Sequence, residues 1–266
     1  MLSAPLQFLS MSLLASFFKG ARRTESVANI LPKAKNISHR FICATRMPEK
    51  NFWEHSALGK SLSKCEDTQR CEFSFAYDFT GNMCSYYNNS ASSENGDLIL
   101  IFIMDHIGLI DKEWRAKLDA ALAQFNVVGI RGNSQLTDEQ PTWWFENLTP
   151  DPSTLSGSAS INTIDGATES QLGPTPLACK VLEPSFIAVR AKDLYDAEVD
   201  FDPNMGQSFL ALDFCKSASQ AGLSIGTWPI QISDTSALLS PLARVENWSD
   251  YFLKYREKWS ASDVPK

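Results

Sequence analysis

The stretch Gly96-Asp97-Leu98-Ile99-Leu100-Ile101-Phe102-Ile103-Met104-Asp105-His106 decides the fold. Residues 98–104 carry no polar side chain, yet the run is far shorter than the roughly 18–20 apolar residues of a membrane span. A short run of this kind predicts a central parallel strand buried on both faces. We therefore expect layers of structure on both sides of this strand, and a polar pair, Asp105-His106, at its carboxyl end.

Strand and helix patterns alternate along the rest of the chain. The predicted strands are an apolar run at 40–45, a period-two pattern at 71–77 near the sheet edge, and apolar runs at 127–130, 185–189 and 225–232. Two helices are predicted. The first is capped by Asp111 and carries an apolar stripe of Trp114, Leu118, Ala121, Leu122 and Phe125, and the second runs from Ser208 to Ala221 and is ended by Gly222. This order predicts an α/β fold with a mainly parallel central sheet flanked by helices.

Two segments lack such patterns. Residues 80–96 are rich in Asn, Ser and Gly, which predicts a loop with a short helix around Tyr86-Tyr87-Asn88. Residues 133–178 contain Trp143 and Trp144 and a Ser/Thr-rich stretch without a long period. We expect this second segment to be a loop or insertion over the sheet.

Composition excludes some classes of function. The net charge of −7 and the pI near 5.1 give no basic surface for a phosphate backbone, so nucleic acid is not an expected partner. The six cysteines include no C-x-x-C pair, and three histidines are too few for a histidine-rich metal cluster. Mostly buried thiols and a reducing, cytoplasmic compartment are expected.

The N-terminal segment, residues 1–38, is predicted to be an arm or an amphipathic helix, and residues 39–262 to be the main domain. The apolar stretch of the N-terminal segment, residues 9–18, is followed by basic residues and not preceded by them. This order does not match a signal peptide. One interpretation is a helix lying on a membrane surface or a partner, which would make the protein membrane-peripheral. The other is a helix packed on the domain, or a loose arm.

Candidate site residues follow the predicted strands, because ligands of open α/β sheets bind beyond the carboxyl ends of the strands. Those positions hold Thr45, Arg46, Asp105, His106, Arg131, Asn133, Ser233 and Asp234. A carboxylate and an imidazole directly after a buried strand suit Mn²⁺ or Mg²⁺. The alternative is that Asp105 caps a turn and His106 packs against it.

The segment from Gly96 to Gly132 resembles the glycosyltransferase-2-like families of the GT-A fold, in which the equivalent strand ends in an Asp-x-Asp motif. Further likenesses are Leu182-Glu183-Pro184-Ser185-Phe186-Ile187-Ala188-Val189-Arg190, Leu212-Asp213-Phe214-Cys215 and Gly226-Thr227-Trp228-Pro229-Ile230. The matched segments run in order from about Arg40 to Trp259. The resemblance implies a GT-A fold and transfer of a sugar from a nucleoside diphosphate sugar to a glycan, lipid or protein hydroxyl.

The resemblance also assigns roles to residues. It implies that Asp213 is the base of an inverting reaction, that Asp105, His106 and Asp234 bind Mn²⁺ or Mg²⁺, and that Cys43, Thr45, Arg46, Asn88 and Asp105 contact the nucleotide. Asp213 has a second interpretation, since a carboxylate near a helix start is stabilised there without catalysis. Trp143 and Trp144 are either a platform for the acceptor sugar or core residues.

The chain departs from the family pattern at three places. Met104 and His106 stand where His and Asp are typical, Ser233-Asp234 where a metal-binding His is common, and Ala211 where a first acid is common. These departures motivate an alternative hypothesis, a catalytically degenerate GT-A domain that binds a nucleotide, glycan or protein partner. A nucleotidyltransferase is a weaker hypothesis, because the chain has no Gly-rich basic loop.

Overall fold

A computed structural model describes residues 37–65, 68–92, 96–137, 140, 142–146, 149–163, 166–238 and 248–260. These residues belong to one unit, Ala34–Lys266. Residues 1–36 of the N-terminal arm or amphipathic helix predicted at 1–38 lie outside the described residues. No helix in the described ranges is long and apolar enough to cross a membrane.

Fifteen strands and seven α-helices are described. The strands are β1 (His39–Ala44), β2 (Cys71–Ala76), β3 (Ile99–Ile103), β4 (Ile107–Leu109), β5 (Val127–Gly129), β6 (Arg131–Asn133), β7 (Phe145–Glu146), β8 (Thr149–Pro150), β9 (Leu155–Thr163), β10 (Gly166–Gly173), β11 (Leu177–Ala178), β12 (Val181–Leu182), β13 (Phe186–Arg190), β14 (Ile225–Thr227) and β15 (Ile232–Asp234). The helices are α1 (Glu49–His55), α2 (Ala57–Lys64), α3 (Met83–Ala91), α4 (Trp114–Leu122), α5 (Ala191–Ala197), α6 (Leu210–Gln220) and α7 (Trp248–Ser260).

The main sheet has seven strands in the order β11-β14-β5-β13-β3-β1-β2. The strands β2, β1, β3, β5 and β14 run in one direction, and β13 lies antiparallel between β3 and β5. Side chains of β3 alternate between two cores: Leu100 and Phe102 face one that contains α3, α6 and α7, and Ile101 faces one that contains α1, α2 and α4. The predicted α/β fold, with a mainly parallel central sheet flanked by helices, is confirmed.

A second sheet, β12-β6-β9-β15-β4 with β10 paired to β9, begins where strands of the main sheet end. The chain passes from β3 into β4 through residues 104–106, from β5 into β6 through residue 130, and from β14 into β15 through residues 228–231. The second sheet therefore adjoins the carboxyl edge of the parallel strands. Asp105 and His106 lie in the first of these junctions, and Arg131 and Asp234 lie in the strands β6 and β15 that follow the other two.

Three local expectations were incomplete or wrong. The Ser/Thr-rich segment predicted to be a loop forms β9 and β10, because its polar residues are paired along the ladder from Gly166↔Thr163 to Gly173↔Gly157. The single strand predicted at 225–232 is two strands in different sheets, separated around Pro229. Asp111 is not the cap of α4, whose N-cap is Glu113; its carboxylate accepts hydrogen bonds from the Glu113 and Gln231 amides instead.

Strand β9 approaches β6 closely at Gly157. Its φ of +105° is left-handed, and a Cβ atom would lie 2.0 Å from the Ile130 carbonyl oxygen. We expect Gly157→Ala to lower the free energy of unfolding by about 3 kcal/mol, from backbone strain and a clash with main chain. Urea denaturation measures the change.

Gly166→Ala is the matched control. Gly166 also has a positive φ, +125°, but a Cβ atom at this position would have no other atom within 4 Å. We expect a loss of only about 1 kcal/mol, from strain alone. Equal losses in the two variants would contradict the close contact between β9 and residues 130–131.

Candidate functional site

Asp105 lies in the turn between β3 and β4, at the carboxyl edge of the main sheet. Its Oδ2 accepts a hydrogen bond of 2.5 Å from the Thr45 hydroxyl, which follows β1. His106 Nδ1 lies 3.7 Å from Asp105 Oδ1, too far for a hydrogen bond. Burial raises the pKa of the Asp105 carboxyl, but the neighbouring His106 and Thr45 outweigh it and hold that pKa below its usual value. Asp105 is therefore an ionised carboxylate with 23% of its side chain exposed.

Arg131, at the start of β6, bridges two carboxylates from distant segments. Its Nη2 donates to Asp234 Oδ2 at 2.7 Å and to Glu183 Oε2 at 3.0 Å. The Ser185 hydroxyl also donates to Glu183. Burial raises the pKa of Asp234, but the Arg131 charge and hydrogen bonds from Ser236 lower it below its usual value. The buried carboxylate of Asp234 is thus already neutralised by a side chain of this protein.

Two backbone hydrogen bonds join the Arg131 network to the Asp105 turn. The Met104 amide donates to the Ser185 carbonyl at 3.0 Å, and the Thr235 amide donates to the His106 carbonyl at 3.0 Å. Each bond links a residue of the turn to a close neighbour of a carboxylate that Arg131 binds. We call this region the carboxyl-edge site, defined by Thr45, Asp105, His106, Arg131, Glu183 and Asp234.

The three predicted metal ligands, Asp105, His106 and Asp234, are not assembled into a metal site. In the described part of the chain, no three His, Cys, Asp or Glu side chains are grouped so that they could hold a metal ion. Both oxygens of Asp234 are engaged, Oδ2 by Arg131 and Oδ1 by the Ser236 amide. The donor set does not fit a resident divalent cation.

The predicted nucleotide contacts have different surroundings. Thr45 is at the carboxyl-edge site and Arg46 beside it is exposed. Cys43 is fully buried in the core, and burial raises the pKa of its thiol well above its usual range, so this side chain offers no surface to a ligand. The side-chain amide of Asn88 is used by the main chain of Phe201, to which it donates and from which it accepts hydrogen bonds. Asn88 anchors the segment before α6.

Asp213 lies in the first turn of α6 and is only 1% exposed. Helix α7 covers its carboxylate: Lys258 Nζ lies 2.8 Å from Oδ1, and the Trp259 indole N–H donates to Oδ1 at 3.0 Å. Burial raises the Asp213 pKa above its usual value, and the contacts with Lys258 and Trp259 only partly offset that rise. In this arrangement the Asp213 carboxylate anchors α7.

The two tryptophans predicted to meet an acceptor sugar differ in exposure. Trp143 packs against the core that contains α6 and α7. Trp144 is 44% exposed. The Trp144 side chain is therefore the more exposed of the two.

Glu183 is a site residue that the sequence did not predict. Candidate site residues were the polar residues that follow each strand, whereas Glu183 precedes β13. Strand β13 runs antiparallel to its neighbours β3 and β5. The residues before an antiparallel strand reach the same edge as those after a parallel strand. The Glu183-Pro184-Ser185 sequence before an apolar run was the available signal.

Comparisons with known proteins identify no family. No protein-family model matches the chain, and no curated protein sequence matches it. Some solved structures are similar in fold. A197 from STIV has 10% identity and a TM-score of 0.38, over 72% of this chain and 82% of that protein.

Two further structures are similar over a longer part of this chain. GalNAc-T7, solved with UDP, GalNAc and Mn²⁺, has 11% identity and a TM-score of 0.43 over 86% of this chain. TarS of S. aureus has 13% identity and a TM-score of 0.47, also over 86% of this chain. This chain spans 57% and 40% of those two proteins. TM-scores this low do not indicate an activity for this chain. Its fold is defined by its own seven-stranded sheet.

The ion pair under α7 leads to a stability prediction. Lys258 Nζ also lies 2.8 Å from Asp202 Oδ2, so Lys258→Met leaves both Asp202 and the buried charge of Asp213 without their shared cation. We expect this change to cost about 3 kcal/mol at pH 7. Thermal and urea unfolding measure the loss. Lys254→Met, on an exposed position of the same helix, is the matched control and should change stability by less than about 0.5 kcal/mol.

The same variant has a predicted pH dependence. Without Lys258 the folded-state pKa of Asp213 rises further above its unfolded value, so the native state holds its proton more tightly. Stability is then lost as pH rises from the unfolded pKa, about 4, through the folded pKa. The deficit of Lys258→Met relative to the wild type should therefore be smaller at pH 4 than at pH 7, and a constant deficit would contradict the assignment to Asp213.

Proposed function

We propose that this protein is a GT-A-type domain that binds a nucleoside diphosphate sugar at the carboxyl-edge site, without sugar transfer by Asp213. The observation that carries the proposal is the contrast between two carboxylates. Asp105 is partly exposed at the carboxyl edge of a parallel sheet, where ligands of such folds bind. Asp213 is sealed under α7 by Lys258 and Trp259.

The charge of the site indicates how a diphosphate would bind. Asp105, Glu183 and Asp234 place three carboxylates in the site against one guanidinium, that of Arg131. This local excess of negative charge repels a bare diphosphate. A diphosphate that carries its own divalent cation is accepted better, since Mg²⁺ is commonly held by one or two carboxylates together with substrate phosphates. Asp105 is the carboxylate available for such a complex.

Calorimetry with UDP and GDP tests the proposal. We expect binding to be about tenfold tighter or more with Mn²⁺ present, because the cation offsets the charge of the site. Asp105→Asn should remove this enhancement, whereas the exposed Asp119→Asn on α4 should keep it. Metal-independent binding, or the absence of binding to either nucleotide, would contradict the proposal.

Sugar transfer with Asp213 as the general base is the second candidate function. It is favoured by the raised pKa of Asp213, because a base acts best when its pKa lies near the working pH. It would require Lys258 and Trp259 to leave the carboxylate, so that an acceptor hydroxyl could reach it.

Turnover separates the two candidates. With a panel of nucleotide sugars and hydroxyl acceptors, binding alone predicts no sugar release by the wild type. Release by the wild type that Asp213→Asn abolishes, with UDP affinity unchanged, would favour transfer instead. The unchanged affinity shows that the variant still has its nucleotide site.

A further inference from the structure

The resemblance implies a resident metal at this edge, yet the residues present do not form such a site. Asp234 is 2% exposed and faces Arg131 across 2.7 Å. Strand β9 lies between β6 and β15, so the Arg131 side chain spans one strand to reach Asp234. A cation thus already occupies the space beside this carboxylate.

The position of the Arg131 side chain depends on its ion pairs, because not all of its N–H groups are hydrogen-bonded. The guanidinium is paired with two carboxylates, and only 10% of the Arg131 side chain is exposed to solvent. Its Nε is buried and has no hydrogen-bond partner within the described ranges. An unsatisfied buried donor is unfavourable, so the two ion pairs must outweigh it.

We propose that the Arg131 guanidinium stands in for a resident divalent cation at the carboxyl-edge site, holding Glu183 and Asp234 where a metal ion would otherwise hold them. It also positions the Asp105 turn, since Ser185 and Thr235, close neighbours of those two acids, bond to Met104 and His106. The inference rests on the proposed nucleotide site, because it explains why a divalent cation would enter with the diphosphate instead of being bound beforehand.

Mn²⁺ alone, without nucleotide, tests the role of Arg131. The wild type should show no change in Tm with Mn²⁺, and the electron paramagnetic resonance signal of the free ion should persist. Arg131→Gln removes the charge and leaves two adjacent carboxylates, so we expect it to gain Mn²⁺ binding. Its Tm should rise by roughly 3 °C at about a tenfold excess of Mn²⁺ over its Kd.

Two control variants separate this role from a merely structural one. Arg131→Lys keeps a cation between the carboxylates and should not gain a response to Mn²⁺. Arg40→Gln removes another largely buried arginine, which pairs with the single carboxylate of Glu72, and should not gain one either. A structural role alone would lower the Tm of Arg131→Gln without creating a metal response.

The outcomes are distinct. Mn²⁺ binding by the wild type, no Mn²⁺ response in Arg131→Gln, or an equal response in Arg131→Lys would overturn the inference. If Arg131→Gln does not fold in metal-free buffer, refolding is repeated with Mn²⁺. We then expect native protein to be recovered only with the metal. No recovery with Mn²⁺ would overturn the inference. Failure of UDP binding contradicts the proposed function alone, because these measurements use no nucleotide.

Discussion

The double ion pair of Arg131 is the interaction on which the arrangement of the carboxyl edge depends. One planar guanidinium binds Glu183, before β13, and Asp234, at the end of β15. All three charges are largely withdrawn from water, where an unmatched charge costs several kcal/mol. The network is therefore stable only when every member is present, and its presence fixes three segments that belong to two sheets.

The Asp105 turn takes its position from this network. Met104 and His106 flank Asp105, and each is hydrogen-bonded to a close neighbour of one of the bridged acids. Thr45 then orients the carboxylate through its hydroxyl. A partly exposed carboxylate held by these hydrogen bonds at the edge of the sheet is suited to binding a ligand.

A second ion pair joins the exposed Lys258 to the buried carboxylate of Asp213. Lys258 and Trp259 engage Asp213, while Phe252 and Tyr255 of the same helix pack near Phe209. Because α7 buries these aromatic side chains, moving it away from Asp213 would expose apolar surface as well as break the ion pair. These contacts hold α7 against Asp213.

The sequence by itself determined the α/β fold, the central strand, predicted at 98–104, the helices α4 and α6, and the position of Asp105 at a strand end. These features follow from local periodicity, which neighbouring residues encode. Only the tertiary structure decided that Arg131 neutralises Asp234, that Lys258 covers Asp213 and that Glu183 joins the site. Each of these pairs connects residues more than 40 positions apart, and the antiparallel course of β13 reverses which residues reach the edge. The charge balance of a site depends on such distant partners, so Asp105 could be located from the sequence but its surroundings could not.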